Sequence, residues 1–186
     1  MEIKNVAAAA AREIAETLQK IDENQVDLLV GEILKAKKVY VSGAGRSLLM
    51  MRGIAMRLMH LGFESYVVGD TTTPAFEKGD LLIVGSGSGE TSGLINVVNK
   101  AKKLGGNIAV FTIKKESSLG KMADVLVEIP AFTPKVHYEN MKRTILPSGS
   151  LFEQCLLVLG DTIVIPLAEK RNIVLEGEFS RHANLE

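Results

Sequence analysis

An α/β sandwich around a five-stranded parallel sheet is the fold class this chain predicts, and three observations carry the prediction. Short, mostly unbroken runs of Val, Ile and Leu recur between residues 39 and 129, as in strands covered on both faces. Segments of helical period alternate with them, which implies right-handed crossovers and parallel pairing. Two glycine- and serine-rich loops, Ser42-Gly43-Ala44-Gly45-Arg46-Ser47 and Gly85-Ser86-Gly87-Ser88-Gly89-Glu90-Thr91, each follow an apolar run and open a helical segment. The natural strand order is the flavodoxin-like 2-1-3-4-5. It sets both loops at the switch point between the central strands, where ligands of such sheets bind.

The elements follow in order. Residues 7–20 are alanine-rich, with Ile14 and Leu18 spaced by four, which favours a helix. Asp22 can cap a second helix whose apolar stripe is Val26, Leu29, Val30, Ile33 and Leu34. Lys35, Lys37 and Lys38 suit its negative C-terminal end. Strands are expected at 39–41, 65–68, 81–84, 107–112 and 125–129. Helices are expected at 47–61, ended near Gly62, at 92–104, stopped by Gly105-Gly106, and at 118–122. A loop containing Pro130, Pro134 and Pro147 leads to a long helix over about 150–171. That helix is apolar nearly all round, so more than one surface must cover it, either the core or an oligomer interface. Pro166 is expected to kink it.

The 186 residues read as one domain, large enough for a substantial core. It divides into an N-terminal helical segment (1–37), the sheet with its crossover helices (38–130), and a loop, long helix and tail (131–186). Lys plus Arg (22) equals Asp plus Glu (22), which speaks against nonspecific nucleic-acid or membrane binding. No apolar run is expected to reach the ~18 residues that span a bilayer. Met1-Glu2-Ile3-Lys4 lacks a secretory pattern, and the lone Cys155 cannot form an internal disulfide. A cytoplasmic location is the expectation.

Several motifs are excluded. Neither loop has the spacing of a nucleotide triphosphate loop, and Leu48 stands where a dinucleotide fingerprint needs its third glycine. Asp70, after the second strand, keeps a ribose contact open. No H-E-x-x-H, paired cysteines or G-x-S-x-G occurs, so neither a metal nor a serine elbow is expected. What remains is an anion site. Glycines such as Gly45 and Gly87 admit close backbone approach, and Ser42, Ser47, Ser86, Ser88 and Thr91 add uncharged donors. Helix-start N–H groups complete a cradle for a phosphate monoester.

Arg46 lies inside the first loop, either as a contact to a phosphate or a substrate oxygen or as a solvated surface arginine. Glu153 begins the long helix among Leu151, Phe152, Leu156 and Leu157, apolar surroundings that favour a tuned base for proton abstraction beside a carbonyl. Glu90 is the competing carboxylate, better suited to ordering its own loop. His60 lies on an amphipathic helix and reads as structural. His137, in the proline-bounded loop, and His182, in the tail, are freer to serve a site.

The two loops and the early carboxylate Glu153 together resemble the sugar isomerase (SIS) domain. Within it, the two leading helices, Pro147-Ser148-Gly149-Ser150-Leu151-Phe152-Glu153 and the ending Arg181-His182-Ala183-Asn184-Leu185-Glu186 are similar to the 6-phospho-3-hexuloisomerase family. The resemblance implies a cofactor-free enzyme that interconverts 3-hexulose 6-phosphate and fructose 6-phosphate in the ribulose monophosphate pathway of formaldehyde handling. It also implies a homotetramer with sites at subunit interfaces, working alongside a hexulose-6-phosphate synthase. By matching positions, Ser47, Ser86, Ser88 and Thr91 correspond to phosphate binders and Glu153 to the base. Related isomerases add a histidine from a neighbouring subunit, for which His182 fits better than His137. The rivals are another phosphosugar isomerase of the same family and a non-catalytic phosphosugar sensor.

Overall fold

The computed structural model describes residues 2–134, 143–175, 181, 182, 184 and 185. Its elements run α1 (Ile3–Leu18), α2 (Glu23–Lys35), β1 (Val39–Gly43), α3 (Arg46–His60), β2 (Ser65–Val67), β3 (Leu81–Gly85), α4 (Ser92–Lys103), β4 (Asn107–Thr112), α5 (Ser118–Met122), β5 (Val125–Glu128) and α6 (Ser150–Lys170). The five strands form one sheet in the order β2-β1-β3-β4-β5. All pairings are parallel, with Val39 opposite Leu81 and Leu81 opposite Asn107.

Side-chain alternation assigns each strand residue to a layer. Val39, Val41, Leu81, Ile83, Ala109 and Phe111 pack with α2, α3 and α6 on one face. Tyr40, Leu82, Val84, Ile108 and Val110 meet Leu94, Val98 and Ala101 of α4 and Leu119 of α5 on the other. Both strand faces are therefore apolar, which explains the unbroken Val/Ile/Leu runs. The outer edge of β5 is blunted by α2, where the Glu128 N–H donates to Gln25 Oε1 at 2.8 Å.

Asp22 caps α2 as expected, accepting from the Asn24 N–H at 3.0 Å. Helix α2 closes at Lys35, so Lys37 and Lys38 lie beyond it rather than on its last turn. Lys38 instead reaches Glu77 at 3.2 Å and the buried Asp80 at 3.8 Å. Helix α6 continues through Pro166 to Lys170. Over 18 residues its mean hydropathy is 1.7, long and apolar enough to cross a membrane by composition, contrary to the expectation from the sequence. Its packing gives the reason for that composition, since 61% of that stretch is buried inside the molecule. Leu157, Val158 and Ile165 form its outward side.

Candidate active site

Three helix N-termini converge on one cleft at the C-terminal ends of β1 and β3. Gly45, Thr91 and Gly149 are the N-caps of α3, α4 and α6, and all three line a cavity of about 340 Å³. None of these three caps uses a side chain to satisfy its helix. By contrast, α2 and α5 are capped by Asp22 and Ser117. Orphan N–H donors and the positive ends of three helix dipoles thus face the same space, which favours an anion there.

The second loop shows how hydroxyls are turned into outward donors. Ser86 Oγ accepts from the Gly89 N–H at 3.2 Å, and Ser88 Oγ accepts from the Glu90 N–H at 3.3 Å. With the oxygen engaged by the loop, each O–H proton is left to donate into the cleft. The Gly87 carbonyl is anchored to β4 through the Ile113 N–H at 3.1 Å and Thr112 Oγ1 at 3.3 Å. Gly89 has φ +65°, and a Cβ there would sit 2.0 Å from Ser117 Oγ, so both conformation and space require glycine. Glu90 points away from the cleft, accepting from the Ser118 N–H at 2.9 Å and its hydroxyl at 2.6 Å. Those two bonds hold its carboxyl below the usual carboxylate range, and it orders its loop as expected.

Between the first turns of α3 and α6, Arg46 Nε donates to Glu153 Oε2 at 2.5 Å. The carboxylate is only 12% exposed and the arginine 58%, so the guanidinium screens a largely enclosed base. Of the four apolar neighbours named from sequence, only Phe152 lines the cavity. Glu153 is therefore bounded by an ion pair as well as by apolar surface. Gly149, with φ +83°, sits so close that a Cβ would approach Glu153 Oε1 to 3.4 Å.

Gly45, Arg46, Ser47, Ser86, Gly87, Ser88, Thr91 and Glu153 all meet at this cavity. Ser42 does not. It is buried inside β1, opposite Val84, and is absent from the lining. Its position before the first loop made it look like a donor, but the loop turns outward only after Gly43. His182 is also elsewhere in this chain, stacked on His60 with ring centroids 5.1 Å apart. His60 is the last residue of α3 and the cleft lies at its first. The fourteen steps from Arg46 to His60, about 21 Å at 1.5 Å per step, therefore separate the residue that His182 stacks on from the cleft of its own chain. His137 lies outside the described residues. Asp70 is paired with Arg52 at 2.5 Å, which occupies the carboxylate that a ribose contact would need.

Sequence reasoning missed Ala44, Leu94, Ile113, Thr133, Ser148 and Gly149 as lining residues. Gly149 carried a usable signal, a glycine just before an apolar helix. Thr133 carried none, because its buried position depends on where the chain runs after β5.

Fold and cleft together define an α/β protein whose site suits a phosphate ester with a carboxylate held a short distance away. Residues 32–156 match the SIS domain family. The chain is 43% identical over 186 residues to a Bacillus subtilis (strain 168) protein named 3-hexulose-6-phosphate isomerase, covering 100% of both. A protein of the same name from Mycobacterium gastri is 44% identical, with 100% of this chain and 92% of the relative covered. A crystal structure from Methanococcus jannaschii, described as inferring a molecular function of 3-hexulose-6-phosphate isomerase, superposes with TM-score 0.81. It is 36% identical over 97% of this chain and 98% of its own. The chain belongs to the SIS domain family.

Proposed function

We propose that this chain interconverts 3-hexulose 6-phosphate and fructose 6-phosphate. The observation that carries the reading is the single cleft in which three helix N-termini and a hydroxyl-rich loop meet, with Arg46 at the head of α3 paired to Glu153 in the first turn of α6. The first group suits a phosphate that does no chemistry, and the second suits proton transfer. The names carried by full-length relatives at 43% and 44% identity support the same substrate.

The phosphate rests on the N–H groups of α3 and α4 and on Ser47, Ser86, Ser88 and Thr91. Its binding energy positions the reacting carbons. Glu153 takes the proton from carbon 2 of the 3-ketose, leaving a cis-enediolate, and returns it to carbon 3. The hydroxyl proton on oxygen 2 moves to oxygen 3 through a second acid. His182 is the better candidate because it lies in the tail that matches the family, and its distance from its own cleft means it would come from a neighbouring copy; His137 is the other. Arg46, already beside Glu153, shifts its charge onto the developing oxyanion as the carboxylate becomes neutral. No metal or cofactor is needed for these steps. With phosphate on carbon 6, a carbon-3 ketone has no hydroxyl that closes a five- or six-membered ring. Ring opening is therefore required only from fructose 6-phosphate.

The same reading places the protein in the cytoplasm, as a homotetramer with shared sites, beside a hexulose-6-phosphate synthase in the ribulose monophosphate pathway of formaldehyde handling. The family resemblance supports these assignments. The deciding experiment incubates the protein with fructose 6-phosphate in deuterated water and follows the sugar by NMR. Deuterium at carbon 3, with appearance of the 3-ketose, is the expected result. Exchange at carbon 1 instead would point to an aldose-forming phosphosugar isomerase. Tight binding without exchange would point to a sensor.

A further inference from the structure

We infer that Glu13, on α1, is a positioning residue for the catalytic end of α6, an inference that rests on the isomerase reading above. Helix α1 buries only Thr17, yet its Glu13 carboxylate holds a segment 131 residues further along the chain. Thr144 Oγ1 donates to Glu13 Oε2 at 2.5 Å, and the Ile145 N–H is shared between Oε1 at 3.2 Å and Oε2 at 3.3 Å. Thr144 Oγ1 in turn accepts from the Leu146 N–H at 3.0 Å. One carboxylate thereby organises three consecutive residues.

The next bonds lead into the cleft. The Pro147 carbonyl accepts from the Ser150 N–H at 2.9 Å, and the Gly149 carbonyl accepts from the Glu153 N–H at 3.1 Å. Ser148 and Gly149 of this turn and Phe152 and Glu153 of the first turn of α6 line the cleft. Glu13 is itself braced, since Thr17 Oγ1 donates to its carbonyl at 2.7 Å. The Cys155 thiol reaches the neighbouring Ile14 carbonyl at 3.9 Å, so α1 is seated on α6.

Residues 143–149 belong to no helix or strand, so hydrogen bonds of this kind set their position. Charge-assisted bonds are the stronger sort. A misplacement of about 1 Å at a reacting group can cost on the order of 10²-fold in rate. The phosphate loops follow β1 and β3 and do not depend on this tether, which separates turnover from binding.

The test is steady-state kinetics of Glu13→Ala and Glu13→Gln with amide hydrogen exchange on the same proteins. We expect Glu13→Ala to lower kcat about tenfold or more while KM stays within about twofold. Glu13→Gln should recover most of kcat, because its amide oxygen can still accept from both the Thr144 hydroxyl and the Ile145 N–H. Should Glu13→Ala fail to fold, Thr144→Val removes the hydroxyl that joins Glu13 to the Leu146 N–H and must likewise lower kcat with KM within about twofold. Unchanged kcat, or a rise in KM matching the fall in kcat, overturns the assignment. The Ile145 and Leu146 amides should exchange about tenfold faster in Glu13→Ala than in the parent protein. Equal rates overturn the tether. Absence of isomerase activity in the parent protein would refute the functional reading, and the exchange rates would still decide the tether by themselves.

Discussion

At the residue scale, the proposed function divides chemistry and binding between Glu153 and Ser88. Glu153→Gln keeps the shape and the hydrogen-bond reach to Arg46 but removes the base. The expected loss in kcat is on the order of 10²–10⁴-fold with the fold intact. Near-full turnover in that variant, measured on the purified 3-ketose phosphate, would remove Glu153 from its role. Ser88→Ala deletes an outward donor and leaves the Glu90 N–H without its acceptor. KM should rise about tenfold with kcat nearly unchanged, because the phosphate is bound alike in ground and transition states. An unmoved KM would place the phosphate elsewhere. Cys155 shows how burial alone silences a reactive side chain. Desolvation pushes its thiol up to about 12, so an added thiol reagent at neutral pH should modify it only as fast as the protein opens. Rapid stoichiometric labelling of the folded protein would contradict the packing of α6 on α1.

At the element scale, loops are held by side chains reaching between neighbours. Glu90 bridges the β3–α4 loop to the start of α5 through Ser118. Because those bonds lower its folded-state pKa, the unfolded chain binds the extra proton first as acid is added. The stabilisation is present at neutral pH, above the unfolded value, and disappears as pH falls through the folded one. The difference in Tm between the parent and Glu90→Gln should therefore shrink from about pH 7 to about pH 3. A gap constant across that range would show that the carboxylate charge is not what orders the loop. Helices α3 and α6 are joined in a similar way, with Arg57 Nε donating to Asp161 Oδ1 at 2.9 Å. That pair lies on the same two helices that carry Arg46 and Glu153.

At the scale of the whole molecule, a net charge of zero accompanies the proposed anion site. Arg46 is the one cationic residue among the described lining residues, and it is already paired with Glu153. On the proposed function, phosphate affinity comes from N–H groups, hydroxyls and helix ends acting at contact distance, not from a long-range field. KM should change by less than about twofold between about 0.05 and 0.3 M salt, in contrast to a site built from lysines. A steep salt dependence would reveal a cationic group brought to the cleft from outside the described residues or from another copy. His60 makes a further whole-molecule contribution. It is held below the ordinary imidazole range by burial first, and then by the nearby His182 and Arg57 charges.

Strand order, strand limits within a few residues, both loops and the carboxylate at the head of α6 were legible in the chain by itself. Each depends on chemistry between near neighbours: apolar period, glycine before a helix, a hydroxyl within a tight turn. Tertiary structure alone decided that Ser42 stays inside the sheet and that His182 docks on His60. It also decided that Arg46 meets a carboxylate 107 residues away and that Glu13 tethers the approach to α6. Partners so distant in the chain leave no local periodicity to read, because only the packing of α1, α3 and α6 against one another brings their side chains within bonding distance.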